Sequence, residues 1–493
     1  MAQLNIDLNR RIGAIDPKIF GSFVEHLGRC VYGGIFDPQS ELADTRGFRR
    51  DVLAAVQALR IPLIRYPGGN FVSGYHWLDG VGPVEERPKR LELAWHSLET
   101  NQFGTNEFIE FCRAVGSEPY ICANLGSGTM DEAAAWVEYC NGKEDTPYAN
   151  LRRKHGYEKP HNVRYWGLGN ELYGSWQIGH KEATEYAKVA LEFAKVMKWT
   201  DPTIRLICCG AMHVDWDWEL LKRCGQHLDY IAAHFYFAPR PGQDSHYSLC
   251  SQVDYVEEYI HVLWQLIQAA RRTFGWRHSI RIAVDEWNVW YRAKAKASDG
   301  SFPVAPPLLE EVYDLTDALT VGAFLNMMQR NCHAIGIGCL AQLVNVIAPI
   351  ITRSDGLFRQ TIYYPLLASA LMRGEIALET HLECDTFPSP HTLRGCTPFL
   401  DVCATMSEKR RKLFISVVNF HKEKAERLKL RLQGMSVESE AMQLLITGPS
   451  PQATNGFDGE NVTLQERRLR KVSTQPVFMI PRHSMCVFAF DIR

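Results

Sequence analysis

Two short stretches of the sequence each carry a glutamate with polar company: Trp166-Gly167-Leu168-Gly169-Asn170-Glu171 and Ala283-Val284-Asp285-Glu286-Trp287-Asn288. In both, an apolar run suited to a strand gives way to a carboxyl group at its end. Two facing carboxyls are the minimum apparatus for cleaving a glycosidic bond: one protonates the departing oxygen, and the other attacks the anomeric carbon or activates water. Taken singly, each glutamate reads more readily as a solvated loop residue. Their neighbours argue for the pair, because Asn170 can bond a sugar hydroxyl and Trp287, Trp290 and Tyr291 offer faces on which a sugar can stack.

Further polar groups follow other apolar runs. They are Ser22-Phe23-Val24-Glu25-His26, Arg65-Tyr66-Pro67-Gly68-Gly69-Asn70 and His234-Phe235-Tyr236. An arginine buried among glycines is costly unless a carboxylate faces it, so Arg65 is expected to brace one of the two glutamates. His234 also fits a satisfied core histidine. Gln342 and Asn345 suit sugar hydroxyls and helix capping equally well. Gly336-Ile337-Gly338-Cys339-Leu340-Ala341 matches the glycine string of dinucleotide-binding proteins, but its glycines lie inside an apolar run instead of opening a helix. Metalloprotease, esterase and P-loop strings are absent.

The elements that must position these groups repeat one theme. Eight apolar runs, at 19–26, 61–66, 119–125, 163–169, 204–210, 228–237, 280–285 and 334–343, each lead through a polar cluster towards a helical stretch. Runs apolar on nearly every residue suit strands covered on both faces, as in a parallel sheet wrapped by helices. Eight such units predict a (β/α)8 TIM barrel spanning residues 16–375, with its chemistry at the C-terminal strand ends. Apolar spacing of three and four predicts helices over 104–116, 181–199 and 253–274. Beyond 375 the pattern alternates with period two, which predicts a C-terminal antiparallel β-sandwich over 376–493. Residues 1–15 alternate too and are expected to add a strand to it.

Composition narrows the partners. Hydrophobic residues make up 46% and charged residues 22%, and 54 Lys plus Arg nearly balance 56 Asp plus Glu. No run of like charges offers a footprint for nucleic acid or an anionic membrane, so a neutral saccharide fits better. No signal-like or membrane-spanning stretch is visible. The fourteen cysteines are scattered without a Cys-x-x-Cys pair, which predicts buried free thiols and a cytoplasmic location.

Six stretches together resemble glycoside hydrolase family 51, the α-L-arabinofuranosidases, essentially end to end. They are Glu25-His26-Leu27-Gly28-Arg29, Arg65 to Phe71, Tyr75 to Pro83, Gly167 to Glu171, Asp285 to Tyr291 and Ala341 to Pro349. The resemblance implies that Glu171 is the general acid/base and Glu286 the nucleophile of a retaining mechanism. It further implies that Glu25, Asn70, Asn170 and Gln342 bond the arabinofuranose hydroxyls, that Arg65, His234 and Tyr236 order the nucleophile's surroundings, and that Trp95 and Trp290 wall the pocket. Neither metal nor cofactor is expected, and the family commonly forms hexamers. Retention calls for carboxyls about 5 to 5.5 Å apart, with Glu171 protonated and Glu286 ionised at the start. One departure is Leu172-Tyr173-Gly174-Ser175-Trp176-Gln177, where the family more often has Met-Asp-Gly-Pro-Trp-Gln; it alters the leaving-group side of the pocket. β-Xylosidase or endo-glucanase activity on the same scaffold, and a carbohydrate-binding barrel without activity, are the competing readings.

Overall fold

The computed structural model describes every residue except 293–299, 435, 471, 472, 474 and 493. Eight parallel strands close into a barrel: Gly21–Phe23, Leu63–Tyr66, Glu118–Ala123, Tyr165–Leu168, Arg205–Cys208, Tyr230–Phe237, Arg281–Val289 and Ile335–Ala341. Each pairs with its neighbours in chain order, and the eighth returns to the first. The predicted helices form as Thr105–Val115, Ala183–Thr200 and Gln252–Phe274. The last buries Val253, Val256, Ile260, Leu263, Ile267 and Ala270, one stripe at helical spacing, and ends at Gly275, whose φ of 75° suits a left-handed cap.

Strand alternation sorts side chains between the barrel interior and the surrounding helices. In Leu63–Tyr66, Arg65 turns inward, while Tyr66 stacks on Phe108 of the helix outside, ring centroids 4.4 Å apart. In Tyr230–Phe237, His234 and Tyr236 turn inward, while Phe237 packs on Phe324, 5.2 Å away. Gly167 faces inward as well. A Cβ there would meet Cys122 Sγ at 2.7 Å and Tyr120 Oη at 3.1 Å, so its bareness makes room for the polar groups above.

The seventh strand breaks this alternation. Ala283 pairs with Ala232 but Glu286 with His234, three residues against two, and the same slip occurs against the eighth strand. Such a bulge places consecutive residues on one face. Asp285 and Glu286 therefore both reach into the barrel.

The second layer is a nine-stranded sheet. Its spatial order is Thr463–Arg470, Val437–Thr447, Ser484–Ile492, Lys412–Asn419, Leu400–Ser407, Ile376–Glu383, Ala2–Ala14, Glu426–Gln433 and Val477–Ile480. Its pairings are antiparallel except one: Ala2–Ala14 runs parallel to Glu426–Gln433 because the chain's first strand is inserted between two later ones. Leu413, Ile415 and Val417 face the sheet's own core with Leu4, Leu430 and Phe488. Val418, Met485 and Val487 join the barrel core. Between the two layers lies helix Leu315–Arg330, buried along its length up to Arg330, which bridges Glu257 (2.6 Å) and Asp401 (2.7 Å). All fourteen cysteines are unpaired, twelve of them buried. Among the described residues no helix is long and apolar enough to cross a membrane.

Candidate active site

The C-terminal mouth of the barrel gathers the predicted residues around one arginine. Arg65 is 1% exposed and donates through Nη1 to Glu286 Oε1 at 2.6 Å and to the Asp285 carbonyl at 3.1 Å. Its Nη2 donates to Asn170 Oδ1 at 2.6 Å, and its Nε lies 3.7 Å from Asp285 Oδ2. The guanidinium also stands 4.7 Å over the Phe23 ring. A buried cation with this set of partners fixes two carboxylates and one amide at once.

Glu286 takes its second anchor from Tyr236, whose hydroxyl donates to Oε2 at 2.7 Å. Glu171 follows the fourth strand at a backbone φ of 43°, a left-handed conformation that non-glycine residues hold only at a cost of order 1–3 kcal/mol. That geometry, after Gly169 at φ 79°, turns its side chain back over the barrel. His234 Nδ1 donates to Glu171 Oε1 at 2.8 Å and lies 3.4 Å from Glu286 Oε2. One oxygen of each glutamate and a ring nitrogen of His234 all lie within 4.8 Å of one another.

A second cluster surrounds Glu25. Its Oε1 accepts from the Phe71 amide (3.0 Å) and Trp95 Nε1 (2.9 Å), and its Oε2 from Gln342 Nε2 (3.0 Å). Burial first, and then the charge of Glu286, raise its carboxyl to about 8. Gly69 lies against it, and a Cβ there would meet Glu25 Oε2 at 2.5 Å. Asn70 is half-buried, and its side chain has no bond to another described residue. Trp290 meets the Tyr236 ring edge-on at 5.2 Å. Asn170 Nδ2 and Gln342 Oε1 are buried without a partner among the described residues, although buried polar atoms as a rule have one.

Residues 55–257 match the model described as the α-L-arabinofuranosidase 1 domain, and residues 285–484 match the α-L-arabinofuranosidase C-terminal domain. α-L-Arabinofuranosidase C of Emericella nidulans is 43% identical over 98% of this chain and 96% of its own. The intracellular exo-α-(1→5)-L-arabinofuranosidase 1 of Bacillus subtilis is 40% identical, covering 94% and 93%. The solved family 51 α-L-arabinofuranosidase of Thermotoga petrophila superposes with a TM-score of 0.91 at 40% identity, over 99% and 100%. The chain belongs to the α-L-arabinofuranosidases of glycoside hydrolase family 51.

In this family 51 enzyme two aromatics depart from the expected stacking role. Trp287 turns outward and stacks on Phe324 at 4.4 Å, as strand alternation after Glu286 requires. Tyr291 donates to Asp317 at 2.5 Å instead of facing a sugar. Asn345 holds the Arg29 carbonyl and Thr352, so its role is structural. Asp285 and Tyr120 join the cluster unannounced: the Tyr120 hydroxyl donates to Asp285 Oδ2 at 2.7 Å, and Asp285 Oδ1 lies 3.4 Å from His234 Nε2. Adjacency to Glu286 was the available signal for Asp285, whereas Tyr120 reads as an ordinary core aromatic.

Glu171 and His234 are displaced in opposite directions. Burial, the largest influence, would raise Glu171, but the hydrogen bond and charge of His234, with hydrogen bonds from Trp176 and Tyr173, outweigh it and hold the carboxyl below its ordinary range. Burial would lower His234, yet Glu286, Asp285 and Glu171 together raise it to about 10.

Proposed function

We propose that the enzyme removes terminal, non-reducing α-L-arabinofuranosyl residues from arabinan, arabinoxylan or oligosaccharides derived from them, by double displacement with retention. Glu286 attacks the anomeric carbon while Glu171 protonates the departing oxygen. Water then releases the covalent arabinosyl-enzyme with Glu171 as base. The observation that carries this reading is that one oxygen of each carboxylate lies within 4.8 Å of the other, with His234 in contact with both. Retaining pairs stand about 5–5.5 Å apart, whereas inverting pairs stand about 6.5–9.5 Å apart to admit a water.

The anchors match the division of labour. Arg65 and Tyr236 stabilise an anionic Glu286 and aim it. A sugar placed over the pair removes water from Glu171, which favours the protonated form that acid catalysis needs. Glu25, Asn70, Asn170 and Gln342 bond the ring hydroxyls, and the unpartnered Asn170 Nδ2 and Gln342 Oε1 support that role. Trp95 and Trp290 wall the pocket, and His234 orders the nucleophile's surroundings. The relative named for exo-α-(1→5) cleavage supports arabinan as one source of substrate. A cytoplasmic hexamer, with a barrel over 16–375 and a sheet domain built from 1–15 and 376–493, completes the proposal.

Proton NMR during the first minutes of hydrolysis tests it. Retention requires α-L-arabinofuranose as the first product, and initial release of the β-anomer overturns it. A panel of nitrophenyl glycosides separates arabinofuranosidase from β-xylosidase or glucanase activity.

A further inference from the structure

The Glu171 carboxylate offers four lone-pair positions, two on each oxygen. Oε1 receives His234 Nδ1 at 2.8 Å and the Tyr173 hydroxyl at 3.2 Å, which fills both of its positions. Oε2 receives Trp176 Nε1 at 3.0 Å, which fills one. Among the described residues a single position stays open, and it is on Oε2. The two oxygens face different surroundings: Oε1 lies on the side of buried His234 and Glu286, whereas Oε2 lies on the side of Trp176, which is 62% exposed.

We propose that Tyr173 is a positioning residue that decides which oxygen of Glu171 carries the transferable proton. By closing the last position on Oε1, its hydroxyl directs the proton to Oε2, the oxygen turned towards the departing half of the substrate. The proposal rests on Glu171 being the acid/base. In the first step the Oε2 proton passes to the glycosidic oxygen as the bond from that oxygen to the anomeric carbon breaks and the Glu286 bond forms. In the second, water gives its proton back to Oε2 as its oxygen displaces Glu286.

Tyr173 is held for this task. Its ring meets Trp216 edge-on at 5.8 Å and Trp176 at 6.2 Å, so the phenol cannot swing away without losing both contacts. Burial first, and then the charge of Glu171, raise its phenol well above the ordinary range, so the group stays an O–H donor. A carboxylate side chain at this position would present no donor at neutral pH and would leave Oε1 open.

Tyr173→Phe keeps the ring and its packing while removing the donor. The test compares kcat/KM against pH on arabinobiose, which needs protonation of its leaving group, and on a nitrophenyl arabinofuranoside, which does not. With Oε1 open and one anion-stabilising bond gone, the basic limb on arabinobiose is expected to move up by about one pH unit. Its plateau is expected to fall several-fold, because protons on Oε1 are misdirected, while the nitrophenyl substrate shows neither change to the same degree. An unmoved limb, with plateaus lowered equally on both substrates, marks Tyr173 as packing only and overturns the proposal. Glu171→Ala, run alongside, tells the two failures apart. If it spares the nitrophenyl substrate while Tyr173→Phe behaves like the parent, only the role of Tyr173 falls; if it harms both substrates alike, the acid/base reading falls first.

Discussion

Replacing Arg65 by Met removes a cation that serves Glu286, Asp285 and Asn170 together while keeping an unbranched side chain of similar reach. The loss is large because the arginine is 1% exposed and its carboxylate partners are as deeply buried. Breaking a buried pair from one side leaves an uncompensated charge and costs roughly 3–5 kcal/mol. Here Asp285 and Glu286 lose their shared counter-charge, and among the described residues His234, Tyr120 and Tyr236 remain to face them. The folded state is expected to lose about that amount in urea unfolding followed by tryptophan fluorescence. Turnover of a nitrophenyl arabinofuranoside is expected to fall at least about 100-fold, because a nucleophile displaced by about 1 Å loses its alignment. Adding Asp285→Asn removes one of the stranded charges, so the double variant is expected to recover about 1 kcal/mol or more relative to additivity without recovering activity. A stability change within about 0.5 kcal/mol for Arg65→Met, the range of ordinary surface substitutions, refutes the reasoning.

Other outcomes follow from the same geometry. Glu171→Ala is expected to slow arabinobiose hydrolysis by about 10²–10⁴-fold while sparing the glycosylation step of nitrophenyl substrates, measured as kcat/KM. Gly69→Ala drives a methyl group into the buried Glu25 carboxyl, so KM should rise about tenfold or more and the melting temperature should fall, as overpacking by about 1–3 kcal/mol requires. His234 is raised from 6.5 to about 10 on folding, so its stabilising contribution is complete below about pH 6.5 and is lost as pH climbs through 10. Melting temperature should fall across that window. Glu25 is a carboxyl raised from 4.5 to about 8, which costs stability progressively as pH rises from 4.5 to 8. Glu25→Gln should therefore stabilise the protein at pH 8 more than at pH 4.5, and the opposite order in thermal melts contradicts the assignment.

The barrel was legible because its strands are covered on both faces and so read as unbroken apolar runs. Strand ends were harder. The seventh run was read as stopping at Asp285, yet the strand continues to Val289, because polar residues at a barrel mouth look like loop. The bulge that turns both Asp285 and Glu286 inward depends on cross-strand register, which a single run does not encode. For the same reason Trp287 and Tyr291 were expected in the pocket, although they point elsewhere. The parallel pairing of Ala2–Ala14 is also a matter of topology, because alternation shows that a strand has two faces and not which neighbour it joins. Glu171, Glu286, Arg65 and Glu25 were legible by residue type and position, whereas Trp95 came from the family resemblance alone. The lowering of Glu171 was not legible, because it depends on His234 meeting carboxylates brought together from the fourth, sixth and seventh strands.

The central claim is that Glu286 forms a covalent bond to the sugar. Incubation with a 2-deoxy-2-fluoro arabinofuranosyl donor bearing a good leaving group, followed by peptide mass mapping, examines that bond directly. One fluoroarabinosyl adduct per active site on Glu286, absent in Glu286→Ala, is the expected result; an adduct on Glu171, or none despite turnover of the donor, contradicts it.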